Sequence, residues 1–157
     1  MQKIMPCLWF DNQAEQAVKF YTSVFSDSGI LKTSYYGEAG PGQPDNVMVI
    51  TFQLNGQEYL ALNGGPEYKF TPAVSLYINC DTQAEVDYYW EKLSEGGEKG
   101  PCGWLTDKYG VSWQVVPVIL GELLADEDPV KANRVMRVML QMGKLDIAQL
   151  KAAYEQS

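Results

Sequence analysis

Side chains that could do chemistry are few in this chain of 157 residues, and it contains no histidine. The commonest general base and the commonest metal ligand are therefore missing. Proton transfer has to rest on carboxylates, tyrosine, cysteine or lysine. Glu38, in the glycine-rich stretch YYGEAGPG, is the carboxylate to test first as a general base, because a loop there could fold over a cavity mouth. Glu67 and Tyr68, after NGGP, are weaker versions of the same idea. The plain alternative for all of them is a solvated loop residue. A nucleophilic thiol needs a base or a cation beside it. Cys7 has none nearby in sequence, so packing accounts for it better. Cys102, in GPCGW, reads as an exposed turn residue, with redox sensitivity as the alternative. Ser75, Gln114 and Asn63 could orient a carbonyl or hydroxyl by hydrogen bonds, and Asn63 could equally serve the GGP turn. Trp9 offers a flat surface for stacking a ligand, whereas Trp113 is expected in the core.

Strands and turns must position these groups. IMPCLWF (4–10) reads as a strand ending at Asp11, followed by a helix over about 13–25 whose Asn12 and Glu15 stand at capping-box spacing. ILKTSYY (30–36) is a second strand, and 37–46 is a loop by its glycines and prolines. Asn55-Gly56 between two apolar runs predicts a hairpin, because a type I′ turn needs positive φ at both central residues. The pattern then restarts. AVSLYINC (73–80) is a strand, Thr82 and Glu85 form a capping box, and WLT and VSWQVV flank a turn at 107–110. Asp11, Gln13, Ala14 and Glu15 recur as Asp81, Gln83, Ala84 and Glu85, a constant offset of 70 residues, which predicts a duplicated unit. We divide the single domain 1–157 into a module at 1–66, a second at 72–117 and a helical tail at 118–157, with Asp128 and Asp146 opening helices in the tail. The tail is expected to cover a sheet face or a dimer seam.

Strand side chains alternate between two faces. Met5, Cys7 and Trp9 share one face of the first strand, and Ser75, Tyr77 and Asn79 one face of the strand at 73–80. On the strands that close each module, Tyr59, Ala61 and Asn63 oppose Leu60 and Leu62, and Ser112, Gln114 and Val116 oppose Val111, Trp113 and Val115. Each mixed face lacks charge. A wet face would carry Lys, Glu or Arg, so these faces are expected to line a sheltered pocket or to meet a second subunit.

The balance of 12 basic and 20 acidic side chains, net −8, disfavours nucleic acid and anionic membrane as partners. Three cysteines without a CxxC pair, no signal-peptide core and no long apolar run point to a soluble cytoplasmic protein.

The two strand–helix–strand–strand–strand modules, with FY closing the first helix and D-x-x-G near the end of the second module, resemble the vicinal oxygen chelate superfamily. This is the glyoxalase, bleomycin-resistance and extradiol-dioxygenase group. More narrowly, LWFDNQAEQAVKFY, YYGEAGPG, ALNGGP, YYWEKLSEGG, CGWLTDKYGVSWQVVP and LGELLADEDP resemble the branch labelled 3-demethylubiquinone-9 3-methyltransferase-like. The resemblance implies an α+β fold of duplicated βαβββ modules forming a curved mixed sheet around a cavity, in a homodimer. It places the positions where relatives hold a metal at Met5, Ala61, Ser75 and Gln114; a register shift of two would bring in Cys7, Asn63 or Tyr77. Met, Ala and Ser cannot assemble a divalent site, so no metal and no cofactor are expected. A nucleotide-type cofactor would need a glycine-rich strand-to-helix turn, whereas 37–43 runs into Pro44 and a strand. The expected function is a small-molecule-binding protein or metal-independent enzyme acting on a small, planar or aromatic metabolite. The expected ligand pocket comprises Met5, Cys7, Trp9, Tyr59, Ala61, Asn63, Ser75, Tyr77 and Gln114. The alternatives are a partner-binding dimer whose cavity is filled by its own side chains, or a metal-dependent lyase, isomerase or dioxygenase.

Overall fold

A computed structural model describes residues 2–156. The chain divides into two compact units, Met1–Phe70 and Thr71–Ser157. The first unit runs β1 (Cys7–Phe10), α1 (Ala14–Val24), β2 (Gly29–Tyr35), β3 (Val47–Leu54) and β4 (Gln57–Asn63). Its sheet has the order β1-β4-β3-β2, with β1 parallel to β4 and the other neighbours antiparallel. Apolar side chains on one face (Leu8, Phe10, Ile50, Phe52, Ala61) are buried, as are Ala14, Ala17, Val18 and Tyr21 of α1. Tyr21, Phe52 and Tyr59 stack in series, with ring centroids 6.5 and 5.4 Å apart. Asn55 and Gly56 adopt φ of 49° and 81°, the left-handed pair that the hairpin requires.

The second unit repeats the plan with β5 (Ser75–Cys80), α2 (Gln83–Ser94), β6 (Glu98–Lys99), β7 (Trp104–Thr106) and β8 (Ser112–Pro117), in sheet order β5-β8-β7-β6. Both βαβββ modules are therefore present, and the fold is α+β as expected. The Thr82 hydroxyl accepts from the Glu85 amide at 3.2 Å, and the Glu85 carboxylate accepts from the Asp81 amide at 2.9 Å, closing the predicted box. The tail adds α3 (Val118–Leu124), α4 (Pro129–Met139) and α5 (Ile147–Glu155). Asp128 and Asp146 cap α4 and α5 through bonds from Val130 and Gln149. Val116, on the sheet face opposite α2, is buried in a cluster with Leu120, Leu123, Val135, Leu145 and Leu150. The tail thus covers one end of that face. Among the described residues no helix is long and apolar enough to cross a membrane.

Two local expectations change. The box at Asn12 and Glu15 does not form; Gln13 occupies the cap position without a side-chain bond. The Asn63 carboxamide caps the helix instead, its oxygen accepting from the Ala14 amide at 2.9 Å while its nitrogen donates to the Val47 carbonyl at 3.0 Å. The first strand is also shorter than 4–10. Met5 lies ahead of it, and the Pro6 carbonyl accepts from Leu60 as pairing begins.

Candidate functional site

The face of the second sheet opposite α2 carries an ordered grid of side chains. Strand register aligns Thr106, Ser112 and Ser75 in one row across β7, β8 and β5, and Trp104, Gln114 and Tyr77 in the next. The first row is three hydroxyls; the second is a carboxamide between two rings. The Gln114 amide nitrogen donates to the Ser75 hydroxyl at 3.0 Å, tying the rows together. A cavity of about 410 Å³ lies beside this grid, lined by Trp104, Thr106, Ser112, Pro72, Pro101 and the β6 residues Glu98 and Lys99, among others. Ser112 is only 3% exposed. Ser75, Tyr77 and Gln114 therefore share a face, as the strand alternation predicts. Thr106 went unpredicted because three residues of WLT are too few to show alternation. Asp107 pairs with Val111 through its amide, which sets Thr106 opposite Ser112, one residue beyond the pairing that a turn at 107–110 alone would give.

On the corresponding face of the first sheet the expectation is reversed at β4. Leu8 and Ile50 both pair with Ala61, and Phe52 pairs with Tyr59, so Tyr59 and Ala61 lie on the α1 side, fully or almost fully buried. Burial pushes the Tyr59 phenol above its ordinary value, as befits a ring in the core. Asn63 is on the same side, occupied in capping α1. Leu60 and Leu62 instead share the open face with Cys7 and Trp9. Register makes Leu60, not Ala61, the counterpart of Gln114: Cys7 faces Leu60 as Tyr77 faces Gln114. Trp9 is held rather than free for stacking. Its indole N–H donates to the Gly65 carbonyl at 2.9 Å, and Tyr68 meets its ring edge-on at 5.0 Å.

A second cavity, about 370 Å³, lies at the start of α1 and is lined by Asp11, Glu15, Tyr36, Gly42, Asn46 and Asn63, among others. Tyr36, buried, donates its hydroxyl to the Asn63 carbonyl. The loop 37–46 wraps this ring so closely that a Cβ on Gly42 would sit 2.4 Å from two ring carbons. Packing on Tyr36 thus explains a glycine that resembled part of a cofactor loop. Glu38 is exposed on this loop and lines neither cavity.

The thiols differ in setting. Cys7 is exposed, Cys102 partly buried and Cys80 buried. Burial, with Glu85 adding to it, pushes the Cys80 thiol up to about 12. At pH 8 its reactive thiolate is then roughly one part in 10⁴. Partial desolvation also raises Cys7. Iodoacetamide at pH 8, followed by mass spectrometry, is expected to leave Cys80 unmodified in the folded protein and to label it once denaturant is added. Labelling of native Cys80 at the rate of Cys7 would contradict this placement.

The four positions where the resemblance implies a metal do not fit one. With the register corrected they are Met5, Leu60, Ser75 and Gln114: a thioether, a hydrocarbon, a hydroxyl and an amide whose nitrogen faces that hydroxyl. Among the described residues no three Cys, Asp or Glu side chains gather at a spacing that would hold a cation.

The profile of the family described as 3-demethylubiquinone-9 3-methyltransferase matches residues 2–116. Among solved structures, the chain is similar to a putative 3-demethylubiquinone-9 3-methyltransferase, PhnB protein, from Bacillus cereus. The identity is 42%, over 74% of this chain and 100% of that one, with a TM-score of 0.67. It is also similar to protein PA1353 from Pseudomonas aeruginosa, at 21% identity over 74% of this chain and 98% of that one, TM-score 0.64. A comparison with curated proteins gives no match.

Proposed function

The chain belongs to the 3-demethylubiquinone-9 3-methyltransferase family, and on that premise we propose that it is a small-molecule-binding protein whose ligand lies against the open face of the second sheet. One observation carries the reading: a cavity of about 410 Å³ meets a row of hydroxyls and an indole on a face that local packing leaves open. That volume is within the range of small-molecule sites, which combine apolar walls with a few convergent polar groups. We do not route the methyl transfer of the family's name through this face. The glycine-rich segment 37–43 joins β2 to β3 and packs on Tyr36, so it does not supply the strand-to-helix phosphate turn of a nucleotide site. The same reading takes 1–157 as one functional domain in a cytoplasmic homodimer without a resident metal. The resemblance and the unsuitable ligand set support it.

A metabolite-library thermal-shift screen tests the proposal. Compounds that raise the melting temperature are expected to lose that effect with Trp104→Ala, which removes the largest apolar surface of the cavity. An anchoring ring of this kind contributes about 2 kcal/mol, roughly 30-fold in affinity. If no compound stabilises the protein, or if the variant responds as the parent does, the reading falls.

A further inference from the structure

The polar groups of the cavity also limit what its ligand can be. Ser112 lines the cavity, is 3% exposed, and its hydroxyl has no hydrogen-bond partner among the described residues. Thr106, beside it in register, likewise has no partner for its hydroxyl, nor has Trp104 for its indole N–H. Among the described residues no fully buried side-chain polar atom lacks a partner, so these groups open onto the cavity, and a ligand that displaces solvent from them must supply a partner in return. Hydroxyls donate or accept, but an indole N–H only donates. The partner that suits all three groups is therefore an acceptor.

Charge decides between acceptors. Lys99 on the rim is 3.2 Å from the Glu91 carboxylate, Glu98 adds a further negative charge, and the chain carries −8 overall. A ligand carboxylate would meet a cation already paired and a surplus of like charge. An ammonium group reaching Ser112 would shed its water with no buried counter-charge to meet it, a far larger cost than for a carbonyl. Pro72, Pro101 and Trp104 offer flat apolar walls. Resting on the site proposed above, we infer that this cavity takes an uncharged planar molecule bearing a carbonyl-type acceptor. That oxygen lies among the Thr106 and Ser112 hydroxyls and the Trp104 N–H, with the ring against the indole.

Four probes of similar size separate the possibilities: acetophenone, ethylbenzene, benzoate and 1-phenylethylamine. Each is titrated into ¹⁵N-labelled full-length protein while the Trp104 indole resonance, assigned with Trp104→Phe, is followed. Acetophenone is expected to shift that resonance and to bind about 3- to 10-fold tighter than ethylbenzene, the value of one net hydrogen bond. Benzoate and the amine are expected to bind more weakly than acetophenone. Ser112→Ala and Thr106→Val should each remove most of the acetophenone advantage and leave ethylbenzene unchanged. If ethylbenzene or either charged probe binds as tightly as acetophenone and moves the Trp104 resonance, the ligand class is overturned while the site stands. If none of the four moves it, both are overturned.

Discussion

Asp107→Ala is expected to lower the unfolding free energy by about 3–5 kcal/mol, measured by urea denaturation with far-ultraviolet circular dichroism. The sequence DKYG marks a turn, but the carboxylate does more than start it. Asp107 is 3% exposed and accepts from the Tyr109 amide at 2.8 Å, the Val111 amide at 3.1 Å and the Trp113 indole at 2.8 Å. One side chain thus closes the β7–β8 hairpin and satisfies the polar atom of a tryptophan otherwise buried in the core. Alanine would leave all of these donors unmet, and each unmet buried donor costs about 1–3 kcal/mol. Asp107→Asn tests the chemistry more finely. Its oxygen can still serve the two amides, but its NH₂ then faces the indole N–H, donor against donor. A loss of about 2 kcal/mol is expected. Combined with Trp113→Phe, which removes the opposing donor, the cost should fall short of the sum by at least about 1 kcal/mol. A loss below about 1 kcal/mol for Asp107→Ala would show that the hairpin does not depend on this carboxylate. Because Thr106 and Ser112 flank the same turn, weaker fragment binding should accompany the loss of stability.

The doubled Asp-x-Gln-Ala-Glu located both strand-to-helix corners, because a duplicated module repeats its local geometry. It did not locate what the repeated letters do. Gln13 sits at the start of α1 without a side-chain bond, whereas Gln83 reaches the tail. Thr82 caps α2 from within its own corner, a local arrangement that spacing can reveal. Asn63 caps α1 from 49 residues away, which no local spacing can reveal. The face of β4 failed for a related reason. Leu60 and Leu62 form the more apolar stripe, but Tyr59 and Ala61 are the residues that fit beneath α1, the alanine by its size and the tyrosine by stacking on Phe52. Alternation shows that two faces differ; the partner strands decide which is inside. On β5 and β8 the contrast was stronger, polar against aliphatic, and there Ser75, Tyr77 and Gln114 were legible. The tight approach of Gly42 to Tyr36 was hidden, since a glycine-rich string looks the same whether it cradles a phosphate or a ring.

Leu145→Ala should lower the unfolding free energy by about 3–4 kcal/mol, although residues 118–157 lie beyond the family match at 2–116 and 74% of this chain suffices to cover the whole Bacillus cereus structure. Those relations suggest an appendage that could fray alone. The contacts indicate otherwise. Leu145 is fully buried in the cluster around Val116 and lies against Gly103, where a Cβ would come within 3.0 Å of its side chain. Its carbonyl accepts from the Gln83 amide nitrogen at 3.0 Å, while the Gln83 oxygen accepts from the Ile147 amide at 2.8 Å. Cys102 and Gly103 add backbone bonds to Met142 and Gly143, both at 2.8 Å. Truncating Leu145 opens a cavity among rigid neighbours, where leucine-to-alanine changes cost about 2–5 kcal/mol. Gln83→Ala, which removes both clamps on the tail, is expected to cost about 2 kcal/mol. Hydrogen exchange decides how that loss is distributed. If tail and module unfold together, amides of β8 and of α5 lose protection by the same amount in Leu145→Ala. If only α4 and α5 exchange faster while β8 and the global midpoint are unchanged, the tail is a separate unit, and its cover over the Val116 end of the open face can be lifted without unfolding the site.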